Sequence, residues 1–352
     1  MVLEEKLGPS HVHSIDECNL RYAFKKENSE NPGYVALYDR NTFLGNVIHE
    51  VINIYVSEKR HIDDFDIIWS QTLIDLKNGI LNSPEIEVIK YEAPFYVIKK
   101  WQTKDLLTGI NDSNSKFHSE YPFESIHLKG KIDLVKMDHE SKSVEIIDFK
   151  SGPIWSYVDG KKHEPLQKYL TQILSYGLYF FENGFAPSNI TCKLIGLSKN
   201  DYYQISFNTE DYRKYSNHLF QLRKRLGQMM GKENFNIPYF GRPNPENCRY
   251  CNFRYKCRAF LKEIQINPKS YKTDIFLNLR KDHLTMEVNK IRIVVNNNSQ
   301  LLIHNVPSDI VRSLNLTLIE ADIILFTGLL KGDKENNYYW LKTTQKNMLT
   351  NI

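Results

Sequence analysis

The sequence is poor in cysteine, in net charge and in long apolar runs, and each shortage excludes a class of protein. Five cysteines in 352 residues are too few for the disulfide framework of a small secreted domain. A formal net charge of +4 is too small to indicate a nucleic-acid partner by composition alone. No apolar run approaches the roughly 20 residues that cross a bilayer, and the first residues lack the apolar core of a signal peptide. We therefore expect a soluble, cytoplasmic protein.

A phosphate-binding loop is missing as well. No G-x-x-x-x-G-K-[ST] motif occurs, so the chain is not expected to act as a nucleotide-driven motor by itself. The composition is otherwise that of a globular protein, with 41% hydrophobic and 25% charged residues. At roughly 150 residues per domain, a chain of 352 residues predicts two domains, or one large domain with an appendage.

The order of periodic segments predicts an α/β fold for residues 1–265. Segments with helical spacing of apolar residues alternate with short β-rich runs. In chain order they are the helix TFLGNVIHEVINIYVSEK, the strands KGKIDLVKM and SVEIIDFKSG, the helix PLQKYLTQILSYGLYFFENG, the strands ITCKLIGLS and YYQISFN, and a basic amphipathic helix from about Thr209 to Gly231. The polar turn DHESKS between the first two strands predicts a hairpin. The whole pattern is typical of a mixed sheet flanked by helices.

The remainder of the chain, residues 266–352, has a different pattern. After INPKSYK, which has the composition of a linker, short strand candidates follow one another: KIRIVVN, QLLIHNV, ADIILFTGLL and YYWLKTT. They predict a β-rich accessory module of about 75 residues, for which an OB-like barrel is one candidate.

Two acids and a lysine lie inside the first pair of strands. The side chains of Asp148 and Lys150 point to the same face of a strand, because the side-chain period is two. Asp133 comes beside them if the two runs pair as a hairpin. Converging carboxylates at the end of a sheet suit Mg²⁺ or Mn²⁺, which prefer oxygen ligands. A lysine beside such an ion can orient or deprotonate a water and neutralise charge on a phosphate.

A D-x-K motif alone is weak evidence, because it occurs most often in an ordinary hairpin as a turn-flanking acid with a solvated lysine. The neighbours of Asp148 argue against that interpretation here, since Ile146, Ile147 and Phe149 surround it in the sequence. An ionised acid in the core of a strand costs several kcal/mol unless it is paired or bound to a metal.

Three further polar residues fall on predicted helices. His49 lies near the apolar face of the first helix, where a single histidine is usually a core residue with a hydrogen-bond partner. Gln172 and Tyr176 are four residues apart on the helix after the hairpin and therefore share one face. Each feature alone is a weak signal.

Together these residues resemble the RecB-like branch of the PD-(D/E)XK nuclease superfamily. The family order is G-x-x-H, G-x-x-D, D-x-K and Q-x-x-x-Y, and the first element here departs from it by one residue, as G-x-x-x-H. The corresponding positions are Gly45 with His49, Gly130 with Asp133, Asp148 with Lys150, and Gln172 with Tyr176.

The resemblance implies a role for each position. The implied metal ligands are His49, Asp133, Asp148 and the Phe149 backbone carbonyl. Lys150 would act on the attacking water, while Gln172 and Tyr176 would support Lys150 and the DNA backbone. Glu120 matches an acid often found just before the G-x-x-D strand, and would stand behind the ligands.

The cysteines extend the resemblance. Cys248, Cys251 and Cys257 form C-x2-C-x5-C, and Cys18 lies far upstream of the His49 helix. This placement resembles the iron-sulfur subgroup of these nucleases, which includes the AddB nuclease domain and the CRISPR-adaptation exonucleases. It implies that the four thiolates hold a 4Fe-4S cluster that ties the ends of the nuclease domain together. Four cysteines can also bind Zn²⁺, which stays the alternative. Cys192, inside a strand run, is expected in the core.

Basic and aromatic residues alternate around the last cysteines, in RYCNFRYKCRAF. Such a composition can bind a nucleic-acid strand by charge and by stacking. The candidate DNA-binding residues are Arg249, Arg254, Lys256 and Arg258.

These features predict a Mg²⁺- or Mn²⁺-dependent deoxyribonuclease that hydrolyses phosphodiester bonds, acting as an exonuclease on single-stranded or unwound DNA. Because the chain lacks a motor motif, a helicase or another repair or defence subunit is an expected partner. Two alternatives stay open, namely a non-catalytic nucleic-acid-binding scaffold subunit and a ribonuclease that uses the same metal chemistry.

Overall fold

The chain divides into two compact units in a computed structural model. The first unit comprises Met1–Asp16 and Asn28–Gln228, and the second comprises Glu17–Glu27 and Met229–Ile352. The structure describes residues 5–30, 40–78, 94–111, 117–138, 140–197, 201–231, 236, 238–249, 251, 253–266, 275–278, 284–287, 290–296, 299–309, 311–312, 323–327, 329–331, 337–339 and 345–348. The predicted boundary at residue 265 marks the end of the family resemblance, and it stays a prediction.

Helices dominate the first part of the chain. They are α1 (Pro9–Glu17), α2 (Asn19–Glu30), α3 (Arg40–Ser57), α4 (Phe65–Asn78) and α5 (Pro94–Asn111). The predicted helix around His49 is α3, and its apolar residues Phe43, Val47, Val51 and Tyr55 are almost completely buried, as their spacing indicates. None of the described helices is both long and apolar enough to cross a membrane.

A five-stranded mixed sheet forms the centre of the first unit. Its strands are β1 (Phe117–Glu124), β2 (Lys129–Asp138), β3 (Ser143–Lys150), β6 (Ile190–Gly196) and β7 (Asp201–Ile205), in the order β1-β2-β3-β6-β7. Strand β3 runs parallel to β6, and the other neighbours are antiparallel. The predicted hairpin of β2 and β3 is confirmed. Strand β3 is central and therefore buried on both faces, which explains why its apolar residues form a nearly continuous run.

Two helices frame this sheet. Helix α6 (Gln167–Glu182) makes the crossover from β3 to β6, as parallel neighbours require, and α7 (Thr209–Met230) follows β7. Helix α6 ends at Glu182 before Asn183 and Gly184, where the sequence predicts a stop, and Gly184 has a φ of 87° that favours glycine. The architecture is therefore the predicted α/β fold, consistent with a PD-(D/E)XK core.

A second hairpin, which is not among the elements predicted above, follows β3. It consists of β4 (Trp155–Val158) and β5 (Lys161–Pro165), paired antiparallel. Its turn contains Asp159 and Gly160 with φ values of 49° and 74°. An Asp-Gly pair with positive φ at both positions is a strong hairpin signal, so the sequence does contain the information.

The second unit is mainly β-structure after its first helices. It contains α8 (Pro245–Arg249) and α9 (Arg258–Ile266), and then the strands β8 (Ile275–Asn278), β9 (Leu284–Glu287), β10 (Lys290–Asn296), β11 (Ser299–His304), β12 (Ile323–Thr327), β13 (Leu330–Lys331), β14 (Asn337–Tyr339) and β15 (Gln345–Met348). The strands form one sheet in the order β13-β14-β11-β10-β9 and another in the order β15-β12-β8. The β-rich module is confirmed, whereas the OB-like barrel stays a prediction. The predicted linker lies almost entirely outside the described residues.

Candidate active site

Two acids, one fully buried and one largely buried, face each other across β2 and β3. Leu134 pairs with Ile147, so the next residues along the two strands, Asp133 and Asp148, come opposite one another. The Asp148 side chain is completely buried. Asp133 Oδ2 accepts a hydrogen bond of 2.8 Å from the backbone N–H of Phe149, which fixes this carboxylate against the end of β3.

A histidine and a third acid complete one side of the site. His49 Nδ1, on α3, lies 3.3 Å from Asp133 Oδ1. Glu120, in β1, adopts a φ of 47°, a left-handed conformation that is uncommon for residues other than glycine. One ligand atom from each of His49, Glu120 and Asp133 can be chosen so that all three lie within 4.8 Å of one another. Among the described residues, this is the one such group of histidine, cysteine or acidic side chains.

Lys150 lies on the other side of the site, next to Asp148. Its Nζ lies 2.6 Å from Asp148 Oδ2 and donates a hydrogen bond of 3.0 Å to Gln172 Oε1. Gln172 Nε2 in turn donates a hydrogen bond of 2.7 Å to Tyr176 Oη. The spacing of four residues on α6 therefore joins Gln172 and Tyr176 in a chain of hydrogen bonds that holds Lys150 in place.

The two acids differ in their tendency to ionise. Burial raises the pKa of Asp148 to about 6, with Lys150 partly opposing this rise and Asp133 adding to it. Burial also acts to raise the pKa of Asp133, but His49, Lys150 and the Phe149 N–H outweigh it, so this pKa is lowered. The site therefore holds one readily ionised carboxylate next to a carboxylate that resists ionisation, a pairing common at functional sites.

The two acids raise the pKa values of both basic groups in the site. Burial acts to lower the pKa of His49, but Asp133 and Asp148 outweigh it and the pKa is raised. The pKa of Lys150 is raised for the same reason, since Asp148, Asp133 and Tyr169 outweigh burial. Attraction between the two carboxylates and the two basic side chains therefore stabilises this cluster, which is largely shielded from solvent.

The donor set fits a hard divalent cation. Asp148 Oδ1 is buried and receives no hydrogen bond from the described residues. A buried carboxylate oxygen without a donor is costly, and a cation would remove that cost. Carboxylate oxygens and one imidazole are ligands that Mg²⁺ and Mn²⁺ accept, and cysteine is absent from this set.

The structure brings the predicted site residues together, although their catalytic and metal-binding roles stay predictions. Glu120 was expected behind the ligands, but it is close enough to be a ligand itself. At Gly45, an added Cβ would lie 3.7 Å from Ser151 Oγ, an ordinary contact, so packing alone does not require glycine there. At Gly130, a Cβ would lie 3.2 Å from Pro9 Cδ, which is tight.

One neighbour of Lys150 was missed. The centre of the Tyr169 ring lies 5.1 Å from Lys150 Nζ. Tyr169 precedes Gln172 by three residues, so the two side chains share a helical face. This spacing of three residues is the sequence signal that places Tyr169 beside Gln172, although Tyr169 is not part of the family motif.

The four predicted cluster cysteines line one pocket of the second unit. The pocket is lined by Cys18, Cys248, Cys251 and Cys257. Burial raises the pKa values of Cys248 and Cys257 to about 12. Because metals bind the thiolate form, metal binding here must displace protons. Cys192 is completely buried in β6, which confirms it as a core residue.

The basic residues near these cysteines are placed differently from one another. Arg254 is buried, and its guanidinium donates a hydrogen bond of 3.0 Å to the Cys248 carbonyl. Lys256 Nζ lies 2.7 Å from Glu27 Oε2, and Arg258 is exposed. The side chain of Arg249 lies outside the described residues. Arg254 lines the cysteine pocket, and DNA contacts of all four residues stay predictions.

Comparisons with known proteins agree with this geometry at the level of the superfamily. The sequence matches no curated protein. The solved structure titled "Crystal structure of SSO0001" is 15% identical, over 68% of this chain and 96% of its own, with a TM-score of 0.27 that is too low to support an inference. The family model of the PD-(D/E)XK nuclease superfamily matches residues 6–258, which include every residue of the site. The chain therefore belongs to the PD-(D/E)XK nuclease superfamily.

Proposed function

We propose that the protein is a metal-dependent deoxyribonuclease of the RecB-like type. The observation that carries the proposal is the pair of acids, Asp148 fully buried and Asp133 largely buried, with Lys150 Nζ 2.6 Å from Asp148 Oδ2. A protein that only binds nucleic acid has no need to place two acids and a lysine together away from solvent, because that arrangement costs folding energy. Superfamily membership makes phosphodiester hydrolysis the expected use of such a site.

Each residue has a distinct task in this proposal. His49, Glu120, Asp133 and Asp148 would hold Mg²⁺ or Mn²⁺, together with the Phe149 carbonyl. The bound cation would supply charge stabilisation at the scissile phosphate and at the leaving oxygen. Lys150, whose N–H groups are directed by Asp148 and Gln172, orients the attacking water and attracts the phosphate. Tyr176 holds Gln172 in the orientation that accepts from Lys150.

We expect single-stranded or unwound DNA as the substrate and exonuclease action as the mode. Support comes from the resemblance to RecB-like nucleases and from the lack of a nucleotide-driven motor in the sequence. A helicase or another repair or defence subunit would then supply the strand. The β-rich module of the second unit would bind the strand or such a partner.

The pocket in the second unit is proposed to hold a 4Fe-4S cluster. Support comes from the four cysteines that line this pocket together and from their C-x2-C-x5-C spacing, which resembles that of the iron-sulfur subgroup of these nucleases. A Zn²⁺ ion held by the same four thiolates stays the alternative. Such a cluster would stabilise a link of about 230 residues between Cys18 and Cys248.

The test is cleavage of end-labelled strands by anaerobically purified protein. Single-stranded DNA, duplex DNA and an RNA strand of matched sequence are each incubated with Mg²⁺, Mn²⁺ or EDTA. We expect degradation of single-stranded DNA from an end, with either metal and not with EDTA. Faster cleavage of RNA would replace the proposal by a ribonuclease. Tight strand binding without any cleavage would favour the scaffold subunit.

A further inference from the structure

A second lysine lies beside Lys150, and the active-site motif does not account for it. The Tyr169 ring centre lies 5.1 Å from Lys150 Nζ and 4.7 Å from Lys168 Nζ, so the two nitrogens are at most about 10 Å apart. Aromatic faces attract ammonium groups, by about 0.5–1 kcal/mol at exposed sites and by more where water is excluded. The Tyr169 ring therefore attracts two ammonium groups that repel each other.

The two lysines differ in their surroundings. Lys150 contacts Asp148 and Gln172, and its side chain is only 14% exposed. Lys168 is exposed, and no acid or hydrogen-bond acceptor among the described residues contacts its Nζ. A solvated lysine that is held by a ring, and not by a carboxylate, keeps its charge available for an anion.

The start of α6 is fixed in space by the hairpin of β4 and β5. The Leu166 N–H donates a hydrogen bond of 2.9 Å to the Ile154 carbonyl, which joins the two ends of the hairpin where α6 begins. Asp201 is only 7% exposed, and it binds both Lys162 and the Tyr157 hydroxyl of the hairpin. This buried acid therefore secures the hairpin and, through it, the first turn of α6.

The distance between Lys150 and Lys168 indicates which phosphate of the strand Lys168 can reach. The two ammonium groups lie at most about 10 Å apart, so a flexible DNA strand with one phosphate near Lys150 can bring a neighbouring phosphate to Lys168. We propose that Lys168 binds the strand phosphate next to the scissile one, and that the Tyr169 ring is the positioning residue for both lysines. The partner is a single DNA strand. The inference rests on the proposed function for the identity of that strand.

Binding without metal tests the inference separately from cleavage. The probe is a fluorescein-labelled single-stranded DNA of about 20 nucleotides in EDTA, followed by anisotropy over a range of KCl concentrations. We expect Lys168→Gln to weaken binding about fivefold and to lower the salt slope by about 0.7, the value for one lost phosphate contact on a single strand. The matched control is Lys142→Gln, because Lys142 is exposed at the opposite end of β3, about 26 Å from Lys150 by strand length.

Two substitutions at Tyr169 test the ring. Tyr169→Phe keeps the aromatic face and should leave strand affinity and the cleavage rate unchanged. Tyr169→Leu should weaken binding as Lys168→Gln does and, with Mg²⁺ present, should lower kcat about tenfold or more. Unfolding curves verify that both variants fold.

Unchanged affinity and salt slope in Lys168→Gln would overturn the inference, as would equal behaviour of the two Tyr169 variants. If the wild type binds the strand through Lys168 but never cleaves it, the nuclease proposal fails and the assignment of Lys168 stands.

Discussion

The contact between α6 and α7 beside the active site gives a prediction whose size the structure determines. Gly177 follows Tyr176 on α6, and a Cβ added at Gly177 would lie 2.6 Å from Tyr212 Oη and 3.1 Å from Tyr212 Cε1. Tyr212 is completely buried on α7 and stacks on Phe181 with ring centres 4.9 Å apart, so its ring cannot move away freely. Gly177→Ala therefore forces two packed helices apart.

Two effects oppose each other in this substitution. Alanine is more favourable than glycine inside a helix by about 1 kcal/mol. Overpacking of a core costs about 1–3 kcal/mol, and a contact at 2.6 Å falls toward the upper end of that range. We expect a net loss of about 1–2 kcal/mol in the free energy of unfolding, or a Tm lower by about 2–8 °C.

A second substitution distinguishes the effect of the Tyr212 hydroxyl from the effect of its ring. Tyr212 Oη is buried without a hydrogen-bond partner among the described residues, so Tyr212→Phe should itself stabilise the protein by about 1 kcal/mol. In the Tyr212→Phe background the nearest atom to the new methyl group is a ring carbon. Gly177→Ala should then be close to neutral, which gives a coupling of about 1–2 kcal/mol in the double-mutant cycle.

Urea-induced unfolding of the four proteins measures this coupling. Additive changes, with Gly177→Ala costing the same in both backgrounds, would refute the assignment of the clash to the hydroxyl. Stabilisation by Gly177→Ala alone would show that the helices are not as closely packed as described.

Three further predictions concern the cysteine pocket and a buried lysine. The proposed 4Fe-4S cluster would colour the protein brown. Cys257→Ser should remove that colour and lower Tm by several degrees, whereas Cys192→Ala should keep it, as absorbance spectra and iron analysis would show. Arg254→Met should reduce iron retention at least about twofold by removing a positive charge and the bond to the Cys248 carbonyl, while the exposed Arg258→Met should not. Burial lowers the pKa of Lys99 from 10.5 to about 8, so at this position the unfolded chain binds more protons between these values and the Lys99 contribution to the free energy of unfolding rises with pH there. Lys99→Met should abolish that rise and stabilise the protein at pH 7 by about 1–3 kcal/mol, as urea titrations at pH 7 and about pH 10 would reveal.

The arrangement of the candidate active site was largely predictable, because the two-residue period of a strand places its acids and its lysine. Asp148 and Lys150 share a face at a spacing of two, and Asp133 reaches them through a hairpin whose turn is plain in the sequence. The φ of 47° at Glu120, which accompanies its approach to His49 and Asp133, leaves no mark in a hydrophobic pattern.

The buried face of α6 shows where apolar patterns fail. The helical spacing of apolar residues predicts Leu170 and Leu174 on the buried face, but Thr171 and Ser175 are the more deeply buried residues. Ser175 Oγ donates to the Thr171 carbonyl at 2.8 Å and lies 2.6 Å from Tyr215 Oη. These hydrogen bonds offset the cost of burying the hydroxyls, and such partners come from distant sequence positions.

The most direct test of the account is single-turnover cleavage of 5′-labelled single-stranded DNA with Mg²⁺ by the wild type, Lys150→Ala and Lys142→Ala. The account predicts that Lys150→Ala cleaves at least about 100-fold more slowly while keeping its fold and colour, and that Lys142→Ala equals the wild type. Cleavage by Lys150→Ala at the wild-type rate, or undiminished cleavage by the wild type in EDTA, would contradict it.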